Sequence, residues 1–294
     1  MARKSPRDFS IATVNHPYSG LTIVLTTKHD KFDLIAPILK SELGLNVVLH
    51  EADTDILGTF SGEVERASPP SQTAIQKAKI GINALGHSLG IASEGSIGPD
   101  PQLPFSQSNI EYLALVDTDL GIEIVERYRS LDIVAGHIVA DPDTDLEPFL
   151  QSADFPNHKL IASPNSARFK NSIKGISNRT ELQDAIVQLA NDSGDGKVLI
   201  QSDFRAHCSP SRQKNIVQAT IVLANRIKAL CPECKAPGWG LVGYQRGLDC
   251  SSCGETVPNA ISANIAGCAK CSLEQIGEPL AKQADPASCN GCNP

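Results

Sequence analysis

Apolar and polar positions fall into blocks along the chain, and the period of each block predicts an element. Residues 21–27 (LTIVLTT) form an apolar run of the length of a buried strand. Residues 31–43 read as a helix ended by Gly44, and 46–52 (NVVLHEA) as a second strand. A Gly-rich loop with GTFSGE at 58–63 follows. Ser68 then reads as a helix N-cap with Pro69 at the first helical position, and Ala74, Ala78, Ile82 and Leu85 as the inner face of that helix. LGIAS (89–93) predicts a strand that runs into Glu94-Gly95-Ser96-Ile97-Gly98, with a Pro-rich loop over 99–106. Three strand-like runs with short turns between them, 111–118, 121–129 and 132–140, predict a meander. Helical segments at 145–153 and 179–192 accompany strands at 158–163 and 197–203. Ser209 and Pro210 cap a last long helix, where Ile216, Thr220, Leu223, Ile227 and Leu230 share one face.

This pattern predicts an α/β domain with a mixed sheet over 21–230, and it stops at 231. Residues 1–20 contain Arg3, Lys4 and Arg7 with no apolar core after them, so they are expected to be a flexible tail and not a secretory signal. No apolar run approaches the roughly 18 residues a membrane span needs, and the cysteine-rich chain without a secretory signal is expected in the reducing cytoplasm. The 294 residues suggest about two domains. A net charge of −7 disfavours a non-specific grip on nucleic acid, and it leaves room for a nucleotide ligand held by one or two local cations.

Residues 231–294 are expected to be a zinc-binding tail. Eight of the nine cysteines lie there as four CxxC pairs: Cys231/Cys234, Cys250/Cys253, Cys268/Cys271 and Cys289/Cys292. A CxxC turn presents two sulfurs to one metal, and two turns complete the closed tetrahedral geometry of structural zinc. A redox CxxC would be expected once, opening a helix, and a disulfide framework would suit a small secreted domain. The spacers of 15, 14 and 17 residues favour two structural zinc ions in sequential order, pairs one and two on the first and pairs three and four on the second, with a cross-braced order as the alternative. The tail carries four basic residues against six acidic ones, and each four-thiolate zinc adds about −2. It therefore reads as a scaffold, or as a contact for a protein partner through Trp239 and Tyr244, and not as a nucleic-acid module.

Three loops of the α/β part concentrate groups that handle phosphate. Thr26-Thr27-Lys28-His29-Asp30-Lys31 leads from a strand into a helix N-terminus, where free N–H groups and lysines favour an anion. The loop 58–66 offers Glu63 and Glu65, and the next helix carries Lys77. Glu94 ends an apolar strand between small residues, a place suited to holding Mg²⁺ and positioning a water.

These motifs, T-x-K-x-x-K at 26–31, PPSQTAIQKA at 69–78 behind the Glu63/Glu65 loop, and GIASEGSIG at 90–98, resemble in order and spacing those of the inosine/xanthosine triphosphate pyrophosphatase superfamily. The resemblance implies cleavage of a nucleoside triphosphate between its α and β phosphates with a divalent metal. It implies that Thr26, Lys31 and Lys77 hold phosphates, that Glu94 binds metal, and that Glu63 or Glu65 binds metal or acts as base. The family's asparagine is Lys28 here, and its base-recognition Ser-His-Arg has its counterpart in Ser177-Asn178-Arg179. The whole chain, through its terminal CNGCNP, also resembles a bacterial family that joins such an α/β domain to a four-CxxC tail, a likeness that implies no activity.

A second polar cluster lies at 203–212. Asp203, Arg205, His207 and Arg212 are dense there, and the arginine forks of Arg205 and Arg212 suit a phosphate. Cys208 beside His207 raises the alternative of a thiol nucleophile. The function expected is metal-dependent hydrolysis of a nucleoside triphosphate to monophosphate and pyrophosphate, with Mg²⁺ at the reacting phosphates and zinc in the tail. The alternative is a non-catalytic protein that binds a nucleotide or other anion and docks a protein partner through the tail.

Overall fold

A computed structural model describes residues 16–28, 30–54, 67–167 and 171–293. The first sheet is built from β1 (Thr22–Thr27), β2 (Asn46–Glu51), β3 (Leu89–Pro99), β4 (Gln107–Asp117) and β5 (Ile122–Ser130), in the order β2-β1-β3-β4-β5. The β2-β1-β3 part is parallel and the β3-β4-β5 part antiparallel. Helix α1 (Phe32–Leu43) joins β1 to β2, and α2 (Pro70–Leu85) leads into β3. The step from β1 to β2 and the return from β2 past β1 to β3 run in opposite directions across the sheet, so right-handed crossovers put their helices on opposite faces.

Strand alternation sorts the two cores. Ile23, Leu25, Ile91, Leu113 and Leu115 face α1 and the last helix, α5 (Pro210–Lys228), and pack on Ile35, Leu39, Ile216, Leu223 and Ile227. Ala92, Ala114 and Val116 face α2 and pack on Ala74, Ala78 and Ile82.

A second sheet, antiparallel throughout, runs β6-β9-β7-β8. Its strands are β6 (His137–Ala140), β7 (Leu160–Pro164), β8 (Ile173–Ile176) and β9 (Val198–Ser202). Helices α3 (Glu147–Ser152) and α4 (Arg179–Asp192) cover it through Phe149, Leu182, Ile186 and Leu189. The tail forms a third sheet, β10 (Gly240–Asp249), β11 (Thr256–Gly267) and β12 (Glu274–Pro279), in that order and antiparallel.

The mixed α/β class stands, with several local corrections. Residues 132–140 do not extend a meander: only β6 is a strand, and it pairs with β9 in the second sheet. β3 continues through Pro99, because residues 93–99 keep a full ladder with β4, so Glu94 lies within the strand and not at its end. Helix α2 starts one residue later than expected, with Pro69 as N-cap and Pro70 first; Ala74, Ala78 and Ile82 lie on its buried face as expected, whereas Leu85 at its last position is exposed. Part of the expected flexible tail is anchored: His16 bonds through Nε2 to the Ile227 carbonyl at 3.1 Å, and the buried Tyr18 donates to Asp117 at 2.8 Å. No described helix is long and apolar enough to cross a membrane.

Candidate functional sites: a buried charge cluster and two cysteine centres

The β1–β3 ladder ends at the pair Thr26–Ala92. Ser93 and Glu94 are therefore the first residues of β3 beyond the end of β1, where the strand order of the parallel part switches direction, a common ligand position in α/β sheets. Alternation sends Ser93 toward α1 and Glu94 toward α2. Lys31, at the start of α1, donates to Ser93 Oγ at 2.8 Å. Lys77, from the inner face of α2, donates to Glu94 Oε2 at 2.6 Å. Arg212, at the start of α5, places Nε 2.7 Å from Glu111 Oε1, and Asn109 Nδ2 donates to the same oxygen at 2.9 Å. All of these side chains are buried.

Five elements, α1, α2, β3, β4 and α5, thus supply three cations and two carboxylates to one end of the sheet. The electrostatics follow from that crowding. Burial pushes the Lys31 amine down to about 7; Arg212 and Lys77 push the same way, against Glu111 and Glu94. Burial alone would raise Glu111, but the Arg212 guanidinium, helped by Lys31 and Asn109, outweighs it and holds the carboxyl below its usual range. Gly95 makes room for the pair: a Cβ there would lie 2.5 Å from Glu111 Oε1 and 2.6 Å from Arg212 Nη2.

The expected phosphate and metal groups are not all together. Lys31, Lys77, Glu94 and Arg212 converge. Thr26 is buried on the α2 face, its hydroxyl without a hydrogen-bond partner among the described residues, at a point where a Cβ on Gly81 would approach within 2.1 Å. Lys28 points to the surface and pairs with Asp53 at 2.7 Å, beside a cavity of about 280 Å³ lined by Thr27, Asp30, Phe32 and Leu49. Arg205 folds back onto Asp203, with Nη2 2.6 Å from Oδ2. Glu63 and Glu65 lie outside the described residues.

Among the described residues, groups of three or more His, Cys, Asp or Glu in reach of one metal are the two cysteine sets. Glu94 is held by Lys77, so the described part of this site does not form a magnesium cage. Ser177-Asn178-Arg179 serves as a helix start: Asn178 Oδ1 accepts from Glu181 N at 2.9 Å, and Glu181 accepts from Ser177 N at 2.9 Å. Ser93, Glu111 and Asn109 were not expected. The signal for Glu111 was its phase, since it falls in register with the inward Leu113 and Leu115.

Two arrangements that resemble nucleophile sites are structural. Burial and the Asp203 carboxylate push the Cys208 thiol up to about 11, the opposite of activation. Asp154, His158 and Ser211 line up, with Nδ1 2.8 Å from Asp154 Oδ2 and Nε2 2.9 Å from Ser211 Oγ. However, the Ser211 backbone N–H also donates to Nε2 at 3.1 Å, and the hydroxyl accepts from Val134 N at 3.1 Å. His158 therefore caps α5 from outside and ties it to the second sheet.

The eight tail cysteines form two sets, Cys231, Cys234, Cys268 and Cys271, and Cys250, Cys253, Cys289 and Cys292. Sulfurs of facing pairs are 3.8 Å (Cys231–Cys271), 3.6 Å (Cys234–Cys268), 3.8 Å (Cys250–Cys292) and 3.6 Å (Cys253–Cys289) apart. A tetrahedron with Zn–S bonds of about 2.3 Å has edges of about 3.8 Å, whereas a disulfide needs about 2.05 Å. The donor set fits two structural zinc ions.

The order is cross-braced, which corrects the sequential expectation. β10 carries the second pair roughly 30 Å from the first. β11 returns and delivers the third pair beside the first, and the chain after β12 brings the fourth to the second through the Cys250–Ala284 bridge. The first centre is joined to the α/β core: Ala236, Cys268 and Ala269 pack on that core, and Arg226 Nε donates to the Gly238 carbonyl at 2.7 Å. The second has its own small cluster of Cys250, Val257, Ala284 and Cys289.

A family model, Domain of unknown function (DUF6671), matches residues 77–294, and the chain belongs to that family. The match takes in Lys77, Glu94, Glu111, Arg212 and all eight tail cysteines. No curated protein and no solved structure matches the chain.

Proposed function

We propose that this DUF6671 protein hydrolyses a nucleoside triphosphate to monophosphate and pyrophosphate at the edge of β3. The observation that carries the reading is the meeting of Lys31, Lys77 and Glu94, one from each of three separate motifs, where the β1 ladder ends. In the reaction, water attacks the α-phosphorus, and the bond to the α–β bridging oxygen breaks. Pyrophosphate leaves with that electron pair, and the proton of water passes to a carboxylate, Glu94 or one of Glu63 and Glu65. Lys31 and Lys77 offset the charge that develops on the phosphate oxygens, in a setting where burial strengthens each contact. Glu94 would be the carboxylate available to a Mg²⁺ that a triphosphate carried in, if Lys77 turned to phosphate, and the ion would offset charge on the phosphate oxygens. The test is a panel of nucleoside triphosphates with Mg²⁺, read as pyrophosphate release. Turnover that falls at least a hundredfold in Glu94→Gln supports the reading; no turnover of any triphosphate, or full turnover by Glu94→Gln, overturns it.

A second reading, binding without turnover, is favoured by the Lys77–Glu94 contact itself, which occupies both groups at 2.6 Å. In it the α/β domain holds a nucleotide or other anion, and the outer part of the tail, with Tyr244, Ile276 and Leu280 exposed, docks a protein. A ligand that raises the melting midpoint without release of pyrophosphate would favour it.

A further inference from the structure

Lys31 is the odd cation of the cluster. Lys77 has Glu94 and Arg212 has Glu111, whereas the Lys31 amine has, among the described residues, a neutral partner, the Ser93 hydroxyl at 2.8 Å. The residue is 7% exposed. The charges that face it are Arg212 from α5, Glu111 from β4, Lys77 from α2 and Glu94 from β3. They are two of each sign and largely offset one another, so desolvation decides the state of the amine. An ammonium at such a place either gives up its proton or gains an anion.

Resting on the phosphate-site reading above, we infer that a tetrahedral oxyanion binds beside Lys31 and Ser93 together with one proton, which Lys31 takes from solvent: the side chain is an amine in the ligand-free protein and an ammonium in the complex. The value of about 7 for the free protein agrees with this, since above that pH the amine is largely neutral until an anion restores its charge. The nitrogen accepts a proton and no other bond changes. Because the complex needs a proton that the free protein lacks, affinity falls about tenfold per pH unit above roughly pH 7.

The experiment is calorimetric titration of the zinc-loaded full chain with sulfate, whose charge is constant across the pH range used, in buffers of different ionisation enthalpy. Inorganic pyrophosphate serves as a second probe. Uptake approaching one proton per sulfate at about pH 8, with the tenfold loss of affinity per unit, is expected. Lys31→Arg, which stays charged, should bind with no uptake and a flat pH profile, and Lys31→Met should show no uptake. Wild-type binding without uptake overturns the inference and leaves the phosphate site standing. Equal uptake in Lys31→Met shows that another group takes the proton and also overturns it. Failure of both sulfate and pyrophosphate to bind removes the phosphate site and the inference together.

Discussion

Arg212 and Glu111 face each other across the gap between α5 and β4, Nε to Oε1 at 2.7 Å, with both side chains fully shielded from solvent. Arg212 also donates through Nη1 to the Phe204 carbonyl at 2.5 Å. The guanidinium is thus spent on holding the start of α5 to the first sheet. Breaking such a pair from one side leaves a buried charge. Glu111→Gln is expected to cost about 3–5 kcal/mol in urea unfolding, and the paired replacement Glu111→Leu with Arg212→Met less than the sum of the single changes.

Gly95 tests the same packing without touching a charge. Its missing Cβ is what lets the pair sit against β3. Gly95→Ala is expected to destabilise by about 1–3 kcal/mol, and retention of wild-type stability would mean that the two side chains move aside freely.

The cross-brace makes a prediction about metal counts. Zinc analysis of the wild-type chain should give two ions per chain. Replacing Cys231 and Cys268 together by serine removes ligands of one centre and should leave one ion. Replacing Cys231 and Cys250 together strikes both centres and should leave none. Sequential pairing would reverse these two results. The first centre packs on the α/β core and the second does not, so Cys268→Ser should lower the stability of the whole chain more than Cys253→Ser does.

Lys31 gives a pH signature of stability. Its amine is pushed down from 10.5 to about 7 by burial, so between these values the unfolded chain binds a proton that the folded chain lacks. Stability from this group therefore rises with pH across that window, and the penalty is greatest below about pH 7. Lys31→Met should stabilise the ligand-free protein most at and below neutral pH, and the gain should shrink as pH approaches 10. A gain independent of pH, measured by urea unfolding at several pH values, would contradict a buried, titrating lysine.

Much of this arrangement was legible in the chain. β1, α1, β2 and α4 follow from apolar period and caps, and the CxxC pairs identify the metal centres. What escaped was set by partners distant in sequence. The reach of β3 past Ser93 depends on its ladder with β4, because GSIGP has no strand pattern of its own. The pairing of the cysteines depends on the lengths of β10 and β11, whose exposed, irregular residues carry little period. Glu111 has its partner Arg212 101 residues away, so its local sequence does not reveal the pair. Arg205 and Arg212, seven residues apart, were read together, but the turn at Ala206–Cys208 sends one to Asp203 and the other to Glu111 on β4.

The convergence of Lys31, Lys77 and Glu94 is tested most directly by equilibrium binding of inorganic pyrophosphate to the zinc-loaded chain, followed by calorimetry and by the melting midpoint. Saturable binding is expected, with stabilisation approaching about 2.7 kcal/mol at a hundred times the dissociation constant. Lys77→Met should weaken the affinity at least tenfold while the tail keeps both zinc ions. No binding by the wild-type chain, or binding that Lys77→Met leaves unchanged, would contradict a phosphate site at the edge of β3.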